Sequence, residues 1–145
     1  MILTPHILVG AAIGTKTDNL WLVFVFGWLS HYALDALPHW EYLDKLSEVV
    51  KTKNLFKIFA DFIIGIAVVL AITWHFSQKL PIFFGLLGAI TPDILQGMAF
   101  VLKLNCLKPL NKLHNKIHNS QKLSLKQGWL VLILTFLVAI LIIYL

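Results

Sequence analysis

Charge is scarce in this 145-residue sequence, and arginine is absent from it. Charged residues make up 13% of the chain, whereas 59% of the residues are hydrophobic. A water-soluble domain needs far fewer apolar residues, and here they occur in continuous blocks rather than in stripes. The uncharged block at Trp129–Leu145 is about long enough to cross a bilayer core as a helix. These features exclude an ordinary soluble domain and indicate an integral membrane protein.

Cysteine is nearly absent as well. Cys106 is the single cysteine, which excludes an intrachain disulfide and a cysteine-rich zinc site. The 12 basic residues are all lysine, and the formal net charge is +5. These lysines lie between the hydrophobic blocks instead of alternating with aromatic residues, and no nucleic-acid-binding motif is present. We therefore expect the lysines to mark membrane topology, and we expect no nucleic-acid partner.

The hydrophobic blocks predict an all-α fold, a polytopic membrane helical bundle that forms a single domain over residues 1–145. The first block lacks the basic residues of a secretory signal, so we expect it to belong to the mature fold. We expect about four to five hydrophobic helices, with approximate bounds Pro5–Ile13, Leu20–Leu37, Ile58–Phe76, Pro81–Leu104 and Gly128–Leu145.

The sequence also predicts the local structure of three further segments. Glu41–Lys57 is mixed and charged, which is typical of an amphipathic helix at the membrane interface. Thr91-Pro92-Asp93 interrupts the fourth hydrophobic element, so we expect a kink or a break there. The polar, lysine-rich loop at residues 105–127 is expected to be helical from about Leu110 to His118.

The lysines also predict the orientation of the bundle. The third and fourth hydrophobic elements form a hairpin between two lysine-rich loops, so both loops lie on the same side of the membrane. The positive-inside rule makes that side cytoplasmic, which suits an inner, or cytoplasmic, membrane. One loop contains Lys45, Lys51, Lys53 and Lys57, and the other contains Lys103, Lys108, Lys112, Lys116, Lys122 and Lys126.

Histidines and aspartates lie at those ends of the hydrophobic elements that face the lysine-rich loops. Ionisable side chains in membrane helices are costly and are usually paired or functional. His75 lies at the opposite side and is not part of this set. The eight residues expected to gather at one depth are His6, His31, Asp35, His39, Asp61, Asp93, His114 and His118.

The spacing of these residues favours metal binding. His31 and Asp35 are four residues apart, as are His114 and His118, so each pair shares one helix face and can chelate one cation. His39 follows a proline and is expected just beyond a helix end. Imidazole together with carboxylate suits zinc, or manganese and iron, better than calcium or magnesium. We expect one divalent metal ion, with zinc as the first choice and two ions as an alternative.

Several short motifs together are similar to those of small membrane-bound, metal-dependent hydrolases. They are Thr4-Pro5-His6 with Gly10, the pattern H-x-x-x-D-x-x-P-H at His31–His39, Asp61 within a hydrophobic element, G-x-x-x-P-D at Gly88–Asp93, and the late H-x-x-x-H. The resemblance extends more distantly to the group of zinc-dependent phospholipases C and single-strand nucleases. It implies phosphoester hydrolysis, with metal ligands or their immediate neighbours at His6, His31, Asp35, His39, Asp93, His114 and His118.

The residues and the resemblance together predict an enzyme, a metal-dependent hydrolase at the cytoplasmic membrane surface. Asp61 and Asp93 are the candidate catalytic residues, because either one can orient a metal-binding histidine or take a proton from water. A site at headgroup depth favours a membrane lipid or a lipid-linked phosphate as substrate. Lys112 and Lys116 are close enough in sequence to attract an anionic headgroup.

Two other functions stay open at this point. The same residues suit a protein that moves metal ions or protons across the bilayer, although their clustering at one depth argues against a continuous path. They also suit a non-catalytic membrane scaffold whose polar side chains pair with one another. Among single residues, Asp61 has an alternative role as a helix cap, and His114 and His118 have one as a solvated helix face.

Overall fold

The fold is given by a computed structural model that describes residues 2–41, 50–119, 121 and 123–145. All regular structure in these ranges is helical, as the sequence predicts, and a short 3-10 turn precedes the fifth helix. The α-helices are α1 (Leu3–Gly14), α2 (Leu20–Asp35), α3 (Thr52–Thr73), α4 (Lys79–Val101), α5 (Lys108–Ile117) and α6 (Leu125–Tyr144).

Local hydrogen bonds define several helix ends. The side chain of Asn19 accepts a hydrogen bond from the first turn of α2 at 3.1 Å, and Ser124 begins α6 with a capping box. Lys79 donates to the carbonyl groups of Thr73 and Trp74 at 2.6 and 2.7 Å. This last contact neutralises the C-terminal end of α3 and fixes the turn into α4.

Three helices, α3, α4 and α6, are long and apolar enough to cross a membrane. The helices α1 and α2 are apolar but shorter, with 12 and 16 residues. Large hydrophobic side chains cover the outer faces, and Trp21 and Phe56 are 81% and 73% exposed. An exterior of this kind is favourable in lipid and unfavourable in water. The structure therefore supports membrane association.

Glycines bring α1, α2 and α4 to backbone contact distance. A Cβ atom on Gly85 would lie 2.1 Å from the carbonyl oxygen of Gly10, and one on Gly27 would lie 2.4 Å from the carbonyl oxygen of Gly85. Such close approaches are typical of membrane bundles, where van der Waals packing drives helix association. As a result α1 lies at the centre of the bundle, in contact with α2, α3, α4 and α6.

Of the kink or break expected at Thr91-Pro92-Asp93, the break does not occur, because α4 is continuous from Lys79 to Val101; the kink stays a prediction. A proline inside a helix removes one backbone hydrogen bond and crowds the carbonyl of the preceding turn. The adjoining segment Gly85–Ala89 is held tightly against α1 and α2. This packing outweighs the tendency of Pro92 to end the helix. The hydroxyl of Thr91 also donates to the carbonyl of Leu87 at 2.6 Å, within the helix.

The structure describes only part of the predicted interfacial helix at Glu41–Lys57. Residues 42–49 lie outside the described residues. The segment from Thr52 to Lys57 belongs to α3, which begins six residues before the predicted start at Ile58. The helix α5 occupies nearly the predicted range, beginning at Lys108 instead of Leu110. The predicted single domain stays a prediction.

Replacing Gly85 with alanine is expected to destabilise the bundle, because the new methyl group would overlap the backbone of α1. Overpacking of this kind costs about 1–3 kcal/mol, so thermal unfolding in detergent, followed by circular dichroism, should occur at a clearly lower temperature. Gly97→Ala is the control on the same helix, since a Cβ atom there meets nothing within 4 Å. It should be neutral or slightly stabilising. Equal effects of both substitutions would contradict the described packing.

Candidate metal centre

Five of the eight predicted side chains meet at one end of the bundle. His6 lies in the first turns of α1, and His114 lies on α5. His31 and Asp35 are one turn apart at the C-terminal end of α2, and Asp93 is on the C-terminal half of α4. His31 and Asp35 are fully buried, and His6 and His114 are each 3% exposed. The side chain of Asp93 is 20% exposed, which makes it the most accessible of the five.

Asp35 is the centre of this group. Its Oδ2 atom lies 3.1 Å from Nε2 of His31 and 3.1 Å from Nε2 of His114. Its Oδ1 atom lies 3.6 Å from Nε2 of His6. The Oδ1 atom of Asp93 lies 3.6 and 3.8 Å from the Nε2 atoms of His31 and His114. Three imidazoles and two carboxylates therefore direct ligand atoms at one region.

These close approaches lack the geometry of hydrogen bonds. Nε2 of His31 and both carboxylate oxygens of Asp35 are buried without a hydrogen-bond partner among the described residues. Buried polar atoms are nearly always satisfied, so such a group indicates a role beyond packing. Ligand atoms about 2.0–2.2 Å from a tetrahedral zinc ion lie about 3.3–3.6 Å from one another. The spacing around Asp35 is close to that range, so these residues fit a divalent metal ion.

The backbone of α4 sets the orientation of the His31 ring. Nδ1 of His31 lies 2.7 Å from the carbonyl oxygen of Ala89. Because a carbonyl oxygen only accepts, Nδ1 carries a proton and donates it, and Nε2 faces the two carboxylates. Metal-binding histidines commonly donate their second N–H in this way. The close packing of α2 on α4 therefore also fixes the tautomer of a candidate ligand.

A second group adjoins the first and consists of His39, Glu41 and His118. Oε1 of Glu41 lies 2.9 Å from Nε2 of His118 and 3.4 Å from Nε2 of His39. Ligand atoms of His39 and His118 also lie within 4.8 Å of one from Asp35, so Asp35 belongs to both groups. Glu41 is missing from the predicted ligands. Its position two residues after His39 is the sequence signal that points to it.

The pair His114 and His118 shares one helix face, as predicted. His118 is the C-cap of α5 and donates its N–H to the carbonyl of His114 at 2.9 Å, and the two rings are stacked with centroids 5.9 Å apart. His114 lies 3.1 Å from Asp35, whereas His118 lies 2.9 Å from Glu41. The pair therefore joins the two groups, and no metal-ligand group among the described residues contains both side chains.

The two groups differ in their exposure to water, and contacts shift pKa values in the second group. The hydrogen bond with Glu41 raises the pKa of His39. Partial burial opposes ionisation of Glu41, but hydrogen bonds from His118 and His39 outweigh it and hold the pKa of that carboxyl well below its usual range. Glu41 is therefore an anion at neutral pH and a competent metal ligand.

Asp61 is placed at a different point of the bundle. Its carboxylate accepts hydrogen bonds from the backbone N–H groups of Leu3 and Thr4 and, at 2.6 Å, from the hydroxyl of Thr4. These residues begin α1, so Asp61 on α3 acts as a remote N-cap, where negative charge is favourable. Asp61 does not belong to any metal-ligand group among the described residues. It fixes the start of the helix that carries His6.

His75 does not join the centre, as expected. It follows the far end of α3, where its ring centroid lies 6.0 Å from that of Tyr144 and 4.6 Å from that of Phe76. These contacts bring α3 and α6 together at the opposite end of the bundle. His75 is therefore a useful control residue for tests of the centre.

No known family model matches the sequence, and no curated protein or solved structure is detectably similar to it. The chemistry of the site therefore rests on its own geometry. Among the described residues, three overlapping groups can hold a metal ion. They are His6 with His31 and Asp35, His31 with Asp93 and His114, and Asp35 with His39 and His118. Since His31 and Asp35 are shared, the arrangement suits one ion or two adjacent ions.

Metal retention is expected to fall as the pH falls. Metal binds neutral imidazole, so protons compete with it, and the raised pKa of His39 makes this competition begin at higher pH than for an ordinary histidine. Zinc retained after desalting should decrease from about pH 8 to about pH 6 in the parent protein. The free energy of unfolding of the metal-free protein depends on pH in the opposite direction. The His39–Glu41 contact stabilises the fold at low pH and is lost as the pH rises through the raised pKa of His39. Zinc retention that is flat over this range would contradict the assignment of His39.

Proposed function

We propose that the protein is a membrane-embedded, metal-dependent hydrolase that cleaves a phosphoester at the cytoplasmic membrane surface. The observation that carries this proposal is the carboxylate of Asp35, which is buried near three imidazoles without a hydrogen-bond partner. A buried carboxylate is strongly destabilising when no charge compensates it, and a bound cation removes that cost. The resemblance to small membrane-bound, metal-dependent hydrolases, and more distantly to zinc-dependent phospholipases C, supplies the class of reaction.

The proposed setting is an inner membrane with four to five helices in the bilayer. The helices α1 and α2 extend for about 18 and 24 Å at a rise of 1.5 Å per residue, which is less than the bilayer core of about 30 Å. Both are apolar; α1 packs on all three longer helices, and α2 packs on α4 and α1. The lysine-rich segments adjoin the end of the bundle that holds the candidate centre, which supports a cytoplasmic position for it.

The ligand set favours zinc, with manganese or iron as alternatives. His31, Asp35 and His114 would hold the ion, and His6 and Asp93 complete the first group. His39 and His118, with Asp35 shared between the two groups, would hold a second ion next to it, and Glu41 adjoins them. A divalent metal supplies Lewis acidity at such a site, because it polarises a phosphoryl oxygen and lowers the pKa of water.

Asp93 is the residue best placed to take a proton from water. It adjoins His31 and His114, and its side chain is 20% exposed, whereas that of Asp35 is 1% exposed. A general base must be within hydrogen-bond reach of the reacting water. Asp61 is held in the remote cap of α1, so we assign the proton transfer to Asp93 rather than to Asp61.

The substrate class follows from the position of the centre. A site at headgroup depth is open to phosphate groups of lipids or of lipid-linked compounds. Lys108, Lys112 and Lys116 are spaced four residues apart on α5 and are exposed. Their helix also carries His114, on the opposite face, so this row of positive charge lies on the outer side of the same helix and attracts an anionic headgroup to this end of the bundle.

A role in translocation is disfavoured by the core of the bundle. Beyond His6, the buried side chains of α1 are apolar, and Ile7, Leu8 and Ala11 are at most 1% exposed. A pathway for ions or protons needs polar groups through the bilayer. A purely structural role is disfavoured by the unsatisfied oxygens of Asp35, because a scaffold gains nothing from burying them.

Hydrolysis in mixed micelles tests the proposal, with bis(p-nitrophenyl) phosphate and phosphatidylglycerol as substrates. We expect activity that is lost on chelation and restored by zinc, manganese or iron. Asp93→Asn should lower kcat by about 10²–10⁴-fold, because it removes the proton acceptor, and the metal content of the same sample separates this effect from the loss of a ligand. Asp18→Asn is the matched control, since Asp18 is exposed in the loop between α1 and α2. No metal-dependent hydrolysis of either ester, or equal effects of the two variants, would overturn the assignment.

A further inference from the structure

Two separate pockets lie between α2 and α6, one at each end of α1. The α1 residues Pro5, Val9 and Ile13 between and beside them are only partly buried, so we treat this surface as one cleft with α1 as its floor. The helix α1 packs against both of them, and all three helices line the pockets at either end of the cleft. The end nearest the candidate centre is lined by Pro5, His6, Leu34, Leu37, Val131 and Leu132, among others. The other end is lined by Ile13, Phe26, Leu29, Ser30, Ala33 and Ile142, among others.

The helix residues that line the two pockets are mostly apolar. Ser30 donates its hydroxyl to the carbonyl of Gly27 at 2.6 Å, and Thr135 donates to the carbonyl of Val131 at 2.9 Å. Both hydroxyl groups are therefore satisfied within their own helices. Such a surface suits hydrocarbon and offers nothing to a polar ligand.

Three ionisable residues line the two pockets. His6 and His39 lie at the end that adjoins the candidate centre, and Lys16 lies at the other end. His6 is 3% exposed, and its Nδ1 atom has no hydrogen-bond partner among the described residues. A ligand that fills the cleft must therefore be apolar along its length and polar at the end near His6.

The length of the cleft fits one leaflet of a bilayer. The helical floor from Pro5 to Gly14 extends for about 14 Å at the rise of 1.5 Å per residue. Half of a bilayer core is about 15 Å thick. An extended acyl chain that begins at headgroup depth therefore has the length of this floor.

The cleft is open to the side of the bundle. Phe26 and Leu29, on the α2 wall, are 52% and 56% exposed. Near the centre, the start of α6 is pressed against Trp40, since a Cβ atom on Gly128 would lie 2.2 Å from the Cβ atom of Trp40. A chain therefore enters laterally from the lipid rather than through this end.

We propose that the cleft between α2 and α6 receives one hydrocarbon chain of a lipid phosphoester, and that His6 and His39 lead its phosphate to the candidate metal centre. This inference rests on the proposed function, since it names the substrate class of the same site. It makes Leu34 and Leu132 determinants of specificity for a long apolar chain.

Photo-crosslinking tests the cleft without depending on activity. The probe is phosphatidic acid with a diazirine on one acyl chain, incorporated into nanodiscs with the full chain, and adducts are located by mass spectrometry. We expect adducts at Leu34 and Leu132 to exceed those at the lipid-facing Leu137 by about tenfold. Leu132→Trp fills the cleft and should remove this excess. Leu137→Trp is the matched control on the same helix, because Leu137 is 56% exposed outside the cleft, and it should preserve the excess.

Each other result overturns the proposal. Adducts spread evenly over the exposed face of α6 would mean that the cleft is ordinary lipid-facing surface. Crosslinks between two chains across the cleft would mean that a second copy fills it. Equal cleft labelling by diacylglycerol with the same diazirine chain would mean that the phosphate is not recognised.

The metal content of each sample separates this inference from the proposed function. Leu132→Trp should retain as much metal as Leu137→Trp, because neither side chain is a ligand. Selective labelling of the cleft in a protein that binds no metal would contradict the proposed hydrolase function and leave a cleft that only binds lipid. Full metal content without selective labelling would contradict lipid binding in the cleft and leave the proposed hydrolase function intact.

Discussion

The structure depends on one buried carboxylate. Asp35 is fully buried at the end of an apolar helix, with imidazole nitrogens 3.1 to 3.6 Å from its oxygens and no hydrogen bond to them. In a bundle surrounded by lipid, such a group is costly unless a positive charge lies beside it. A divalent cation satisfies the carboxylate and the imidazoles together, which hydrogen bonds among these side chains do not. The remaining ligands and the substrate cleft are arranged around this residue.

Backbone packing far from Asp35 brings its partners to it. The contacts of Gly85 with Gly10 and Gly27 set the separation of α1, α2 and α4, and thereby place His6, His31 and Asp93 around the carboxylate. Asp61 contributes from α3 by holding the first turn of α1. The same central position of α1 leaves the groove between α2 and α6, so the path proposed for a lipid chain and the centre have a common structural origin.

Much of the site could be predicted from local rules, and the rest depends on contacts between segments. The spacing of His31 and Asp35 is a property of one helix, and the lysine distribution places the ends of several helices at one depth. The contact of His118 with Glu41 could not be predicted in this way, because it depends on how the segment after α2 packs against the end of α5. Asp61 was open to two roles, and only the position of α1 decides between them. Pro92 gives a local signal for a break that packing against two other helices overrides.

Metal content tests the central claim most directly. Zinc, manganese and iron should be measured by elemental analysis on detergent-purified parent protein, on the double variant His31→Ala/His114→Ala, and on His75→Ala as a control at the far end of the bundle. The account predicts about one or two ions per chain in the parent and in His75→Ala, and none in the double variant. Absence of metal from the parent after reconstitution, or equal metal in the double variant, would contradict it.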